Sequence, residues 1–180
     1  SGFGQDDWSI IVDGKVVSGS TKLENAIITL YKNGSVDKKV RTPINGKFTL
    51  TLYPENDYLI EIAKDGFVTK KVSFNTEDVP EENVGSGFPS YPITVDIFEN
   101  IKGLDTKILD QPIGRIRYYS KGDNFNFDEG YTRQVQDQLK QLRADIEAKM
   151  EEYKEAMDNG GRYSRSKDYD VFLDEFEKSF

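Results

Sequence analysis

Residues 45–74, NGKFTLTLYPENDYLIEIAKDGFVTKKVSF, decide the fold class of this 180-residue chain. Apolar residues alternate with polar ones in three runs, Lys47–Tyr53, Tyr58–Ala63 and Phe67–Phe74. Pro54-Glu55-Asn56-Asp57 and Lys64-Asp65-Gly66 separate them. Period-two alternation between turn signals marks half-buried antiparallel strands. Phe48, Leu50 and Leu52 fall on one face, with Lys47, Thr49 and Thr51 on the other. Tyr58, Ile60 and Ile62 alternate in the same way with Leu59, Glu61 and Ala63.

Working back from this stretch, Trp8–Val17 (WSIIVDGKVV) reads as a strand interrupted by a bulge or bend at Asp13-Gly14. Ala26–Lys32 (AIITLYK) is a strand rich in β-branched residues. Asn33-Gly34 follows it, a hairpin signal because both residues tolerate positive φ. Val36–Thr42 returns carrying Lys38, Lys39 and Arg41, the charge pattern of an exposed edge. Short strands at regular spacing predict a β-sandwich whose inner faces take Ile28, Leu30, Phe48, Leu50, Ile60, Ile62 and Val72.

The order Gly14-Lys15-Val16-Val17, then Asn25–Gly34, then Arg41-Thr42 with Asn45-Gly46-Lys47-Phe48-Thr49-Leu50, resembles the carboxypeptidase regulatory-like domain. Asp57–Ile62 and Asp65–Val72 continue the resemblance, which covers about residues 9–75. It implies a small transthyretin-like sandwich acting as a noncatalytic accessory module, with no catalytic residue to carry over. Such modules occur in exported and outer-membrane-associated proteins of Gram-negative bacteria, including secretion and gliding machinery. Pro43-Ile44 and Glu55-Asn56-Asp57 depart from the family's usual turns, both in loops.

Downstream, Thr76–Tyr91 is a long loop, acidic and then Gly-rich. Ile93–Phe98 is a further alternating strand that completes a sheet, while Leu104–Leu109 has no decisive period. Ile113–Tyr119 is a short strand with Arg115 and Arg117 on its polar face. Asp128 is placed to cap a helix from Tyr131 to Met157, which contains neither Gly nor Pro. Val135, Leu139, Leu142, Ile146, Met150, Tyr153 and Met157 form one apolar stripe along it. Asn159-Gly160-Gly161 supplies the stop. Tyr169, Phe172, Phe176 and Phe180 recur at helical spacing and predict a short second helix folding back as an αα-hairpin. The expected architecture is α+β: an antiparallel transthyretin-like sandwich, then a long amphipathic helix and a short one. The expected divisions are 1–7, a flexible N-terminus or signal-peptide remnant, 8–119, the sandwich, and 120–180, a helical extension.

Composition narrows the function. A net charge of -8 disfavours nucleic acid and anionic lipid, and no run reaches the roughly 18–20 apolar residues of a membrane span. With no His and no Cys, imidazole bases, thiolate nucleophiles and the commonest zinc ligands are missing. Ser1-Gly2-Phe3-Gly4-Gln5 carries a small-x-small pattern, read either as the remnant of an export signal ending near Gln5 or as a flexible or tag-derived end.

Acidic pairs, Asp6-Asp7, Asp123 with Asp128-Glu129, and Glu151-Glu152, lack the spacing of a calcium loop. No catalytic, cofactor or metal site is therefore expected. The helix stripe has two readings: packing on the chain's own body, or docking of another protein. On the second reading, Val135, Leu139, Leu142, Ile146, Met150 and Tyr153, with Phe172 and Phe176, would bind the partner. Leu139, Leu142, Ile146 and Tyr153 fit heptad core places, but Lys149 breaks the series. Trp8, Tyr53, Tyr58, Phe88 and Tyr91 offer an alternative, a sugar-stacking platform. The expectation is a noncatalytic structural or adaptor protein, exported to the periplasm or outer membrane, that binds another envelope protein. The alternative is a carbohydrate-binding module.

Overall fold

A computed structural model describes residues 8–85 and 87–160. The alternating runs fold as their periods require. Strand β5 (Lys47–Leu52) buries Phe48, Leu50 and Leu52, and β6 (Asp57–Ala63) buries Tyr58, Ile60 and Ile62. These consecutive strands lie in different layers. β5 pairs antiparallel with β1 (Ile10–Ser18), whereas β6 lies between β3 (Ile27–Lys32) and β7 (Lys70–Asn75). Asn56, buried in the crossing loop, holds that loop in place. Its amide donates 2.9 Å to Pro54 O, its carbonyl accepts from Asn33 Nδ2 at 2.8 Å, and its N–H donates to Thr76 Oγ1 at 3.1 Å. The unusual Glu55-Asn56-Asp57 sequence is thus a polar junction that ties three loops together.

One sheet has β1 at its centre, with β2 (Thr21–Lys22) and β5 antiparallel to it and β8 (Tyr91–Asp96) parallel. The other runs β10-β9-β7-β6-β3-β4, where β4 is Ser35–Arg41, β9 is Gly114–Tyr119 and β10 is Asn124–Phe127. All seven residues expected on the inner faces are buried there. β4 is the expected edge, joined to β3 through Asn33 and Gly34 at φ 51° and 87°.

The α+β class holds, two packed sheets followed by a long helix, and the structure adds detail the sequence did not give. The sheets are mixed, because β8 runs parallel to β1 and β9 parallel to β7. A parallel return needs a long crossover; after β7 the chain crosses to the other sheet as β8 and comes back to β9 through residues 97–113, with a 3-10 turn at Lys107–Asp110. No bulge interrupts β1 at Asp13-Gly14, where the register with β5 is continuous; the irregularity falls at Leu30/Tyr31. β9 and β10 pair as a hairpin that spans residues 119 and 120.

Helix α1 (Glu129–Gly160) follows β10 directly and, with 32 residues, is about 48 Å long. Asp128 caps it: Oδ1 accepts the Tyr131 N–H at 3.0 Å and the backbone carbonyl accepts from Thr132. Val135, Leu139, Leu142, Ile146 and Met150 are buried in the same apolar cluster as the sheet residues. The helix runs beside β9 and the Lys107–Asp110 turn: Gln111 Nε2 donates to Gln138 Oε1 at 2.6 Å. Farther along, a Cβ added at Gly103 would sit 3.5 Å from Lys149 Nζ. The helix is therefore a wall of the sandwich rather than a free appendage. The proposed second helix, with Phe172, Phe176 and Phe180, and the N-terminal segment 1–7 lie outside the described residues.

Candidate functional site: the outer face of the six-stranded sheet

In β9, Gly114, Ile116 and Tyr118 face the interior, which sends Arg115, Arg117 and Tyr119 outward. Register extends this face across the sheet. Ser73 of β7 stands beside Arg115, Leu59 beside Ser73, and Tyr31 beside Leu59. On the other side, Asn126 and Asn124 of β10 stand opposite Arg117 and Tyr119. A groove of about 640 Å³ opens here, lined by Ser73, Asn75, Arg115, Arg117, Tyr119 and Asp128 among others. A second, of about 600 Å³, shares Arg117, Tyr119, Lys121 and Asp128. A third, of about 430 Å³, shares Ser73 and Arg115 and reaches Tyr31. Together they trace one elongated trough with a mixed polar and apolar lining.

Both arginines are held by aromatic rings. The Arg115 guanidinium lies 4.1 Å from the centroid of Tyr131, and that of Arg117 lies 3.9 Å from Tyr119. Tyr131 is itself anchored, its hydroxyl donating to the Pro112 carbonyl. Burial raises the Tyr131 pKa, and the neighbouring Arg115 charge works against that rise. Among the described residues, neither Arg115 nor Arg117 has a carboxylate partner within 4 Å; the ion pairs Lys140–Asp137 and Lys149–Glu152 lie on the helix. Stacking leaves the edge N–H groups of a guanidinium available, and those edges match carboxylate oxygens in bidentate geometry.

The residues singled out from sequence go elsewhere. Val135, Leu139, Leu142, Ile146 and Met150, expected as a partner-binding face, are buried in the chain's own core. The stripe's period reported burial correctly, but the covering surface is the chain's own body, so these five residues offer no docking face. Tyr153, at 54% exposure, lies beyond the buried part. Phe172 and Phe176 fall outside the described residues.

The sugar-stacking platform is likewise overturned. Trp8 and Tyr58 are buried. Trp8 meets Phe88 edge-on at 5.2 Å, Phe88 meets Phe125 at 5.0 Å, and Tyr91 packs on Phe74 at 5.5 Å. These rings build the core, and of the five only Tyr53 is a large exposed aromatic.

Of the acidic residues singled out, Asp6 and Asp7 lie outside the described residues, while Asp123 and Asp128 have structural roles. Asp123 accepts from the Tyr118 hydroxyl and Asp128 caps α1. Among the described residues no group of three or more Asp or Glu is placed to hold a metal ion, and no helix is long and apolar enough to cross a membrane. Among the described residues one charged side chain, Lys70, is buried in the interior. Lys70 lies over the Phe98 ring at 5.7 Å, and burial lowers its pKa to about 8 against the opposing influence of Asp96.

The sequence signal for the trough was present but thin. Arg115 and Arg117 on one strand face, two residues apart and followed by Tyr119, could be read directly. Tyr131 could not be joined to Arg115 without knowing where the helix begins.

No family model matches the chain, and no curated protein matches it by sequence. Solved structures with some likeness include S.CueP, at 13% identity and TM-score 0.32 over 48% of this chain and 60% of that one. A 3-chlorocatechol 1,2-dioxygenase from Rhodococcus opacus 1CP matches at 14% identity and TM-score 0.33, over 49% of this chain and 58% of that one. A catechol 1,2-dioxygenase from Acinetobacter sp. ADP1, inhibited by bound mercury, matches at 12% identity and TM-score 0.39, over 65% of this chain and 59% of that one. In each case the chain covers less than two thirds of the other protein. Likeness at this level supports neither a shared fold nor a shared activity.

Proposed function

We propose that this chain is a noncatalytic adaptor module of the bacterial cell envelope, of the carboxypeptidase regulatory-like, transthyretin-like kind. It engages a protein partner through the outer face of the six-stranded sheet. The observation that carries this reading is the pair Arg115 and Arg117, each fixed on a tyrosine ring and neither neutralised by a carboxylate among the described residues. Arginine on a rigid scaffold loses little conformational freedom on binding and is enriched at the centres of protein interfaces. The envelope location and the adaptor role rest on the sequence resemblance over about residues 9–75.

The test is capture from bacterial envelope extract with the full chain and with the double variant Arg115→Ala/Arg117→Ala. A companion protein in stoichiometric amount with the wild type, lost with the double variant at unchanged melting temperature, is the expected result. No companion, or one retained by the double variant, overturns the reading.

A further inference from the structure

We infer that the β9 arginine pair receives two carboxylates spaced two residues apart on an extended acidic segment of the protein partner. This rests on the reading that the partner docks on the outer face of the six-stranded sheet. Arg115 and Arg117 are alternate residues of one strand, so their Cα atoms are separated by two strand rises, about 6.8 Å. An extended peptide has the same rise. Acidic residues at i and i+2 on such a peptide therefore repeat at the Cα spacing of the two arginines when it lies along β9. A helical segment would place i and i+2 on different faces, and i, i+3 or i, i+4 pairs follow another spacing.

The surroundings agree with a linear occupant. The main groove shares Arg117 and Asp128 with the second and Arg115 with the third, and all three follow the sheet face. Lys121, which lines two of them, adds positive charge at the β9–β10 turn. Glu77 and Asp78 line the main groove on its loop side, and Asp128 lines it near the β10–α1 junction; a carboxylate would be repelled at both places. The positions left for acidic side chains are those next to Arg115, Arg117 and Lys121 and away from Asp128. Ser73 and Asn75, half-buried on β7, can donate to the ligand's remaining oxygens. A polysaccharide bearing carboxylates sets its charges by the size of its sugar rings, with no relation to the strand rise, so the peptide is favoured.

Fluorescence anisotropy with the full chain tests this. The probe is a fluorescein-labelled Thr/Ser peptide carrying two glutamates at i and i+2; the comparisons are the same composition at i and i+3, and an oligogalacturonate. The i, i+2 peptide is expected to bind at least about tenfold more tightly than the i, i+3 peptide, and to weaken as salt rises. Arg115→Ala/Arg117→Ala is expected to abolish that preference. Arg115→Lys/Arg117→Lys keeps the charge without the fork and is expected to lose most of the affinity. Equal binding of the two peptides, no saturation by about 1 mM, or tighter arginine-dependent binding of oligogalacturonate overturns the inference. The two readings fail separately. If the double variant loses the envelope companion but the wild type ignores the i, i+2 peptide, the docking face stands and the acidic-segment inference falls.

Discussion

Asn83 Nδ2 donates a 2.7 Å hydrogen bond to the Tyr118 hydroxyl, joining the loop after β7 to the strand that carries both arginines. The same hydroxyl donates to Asp123 in the β9–β10 turn, where Gly122 and Asp123 hold φ of 97° and 56°. One phenol oxygen therefore fixes the loop wall and the turn that flank the trough. Burial and the bond to Asp123 raise the Tyr118 pKa, so the phenol stays protonated and remains a donor. Tyr118→Phe keeps the buried ring but removes both bonds, and its expected cost is about 1–2 kcal/mol in urea unfolding. Hydrogen exchange is expected to quicken in residues 76–85 and 120–124 while β6 is unaffected. Uniform exchange across the chain would show that the bond has no local role.

Lys70 gives the fold an alkaline-side stability profile. Its pKa is lowered from 10.5 to about 8 in the folded protein, chiefly by burial. Below that value both states are protonated and the group adds no pH dependence. Between the two values the unfolded chain holds more protons, so stability rises with pH, by roughly 3 kcal/mol for a shift of this size. Tyr58, Tyr91, Tyr118 and Tyr131 act oppositely above pH 10, because burial raises their pKa values and the unfolded chain deprotonates first. The expected melting temperature climbs from about pH 8 to about pH 10 and then falls. Lys70→Met is expected to remove the climb and leave the fall. A wild type that loses stability steadily from neutral pH would refute this account.

The period-two pattern gave β5 and β6 their buried faces, because one buried sheet face imposes alternation directly. It could not reveal that β8 and β9 run parallel to their neighbours, since alternation is the same in either direction. The stripe on α1 told that Leu142 and Ile146 are buried, but not that the chain's own body covers them; an amphipathic helix looks alike whichever surface it meets. Aromatic identity was similarly mute. Trp8 and Phe88 lie 80 positions apart and touch only through the packing of the layers. The trough was half legible, with Arg115 and Arg117 on one face by spacing alone. Tyr131 reaches Arg115 through a cap and helix turn that set its position.

Gly14 illustrates close approach without strained dihedrals. It lies within β1, opposite Phe48, and a Cβ there would fall 2.0 Å from the Phe48 ring. Gly14→Ala therefore forces that ring out of its place between the sheets, at an expected cost of about 1–3 kcal/mol. Phe48→Leu opens the space and costs about 1 kcal/mol by itself. The double variant is expected to be less destabilised than the two single costs combined, as contacting residues couple. Additive costs in chemical denaturation would show that the ring does not set the requirement for glycine.

The last prediction concerns whether helix and sandwich unfold as one. Leu142 and Ile146 are 3% exposed and belong to the cluster that contains Ile60 and Phe74. A helix this long could still separate from the sheets if its interface were weak. The buried stripe argues otherwise, because five large side chains cover apolar surface that would otherwise face water. Leu142→Ala and Ile146→Ala are each expected to cost about 2–4 kcal/mol. Both should shift the helical signal at 222 nm and the near-ultraviolet signal of the Trp8 cluster by the same amount, in one transition. If the helix were an independent arm, its signal would melt first while the aromatic signal stayed at the wild-type midpoint. Arg115 would be affected too, since the ring it rests on belongs to the first turn of that helix. Coincident transitions, with weakened binding of the i, i+2 acidic peptide only where the fold is lost, would place the helix in the body that holds the trough.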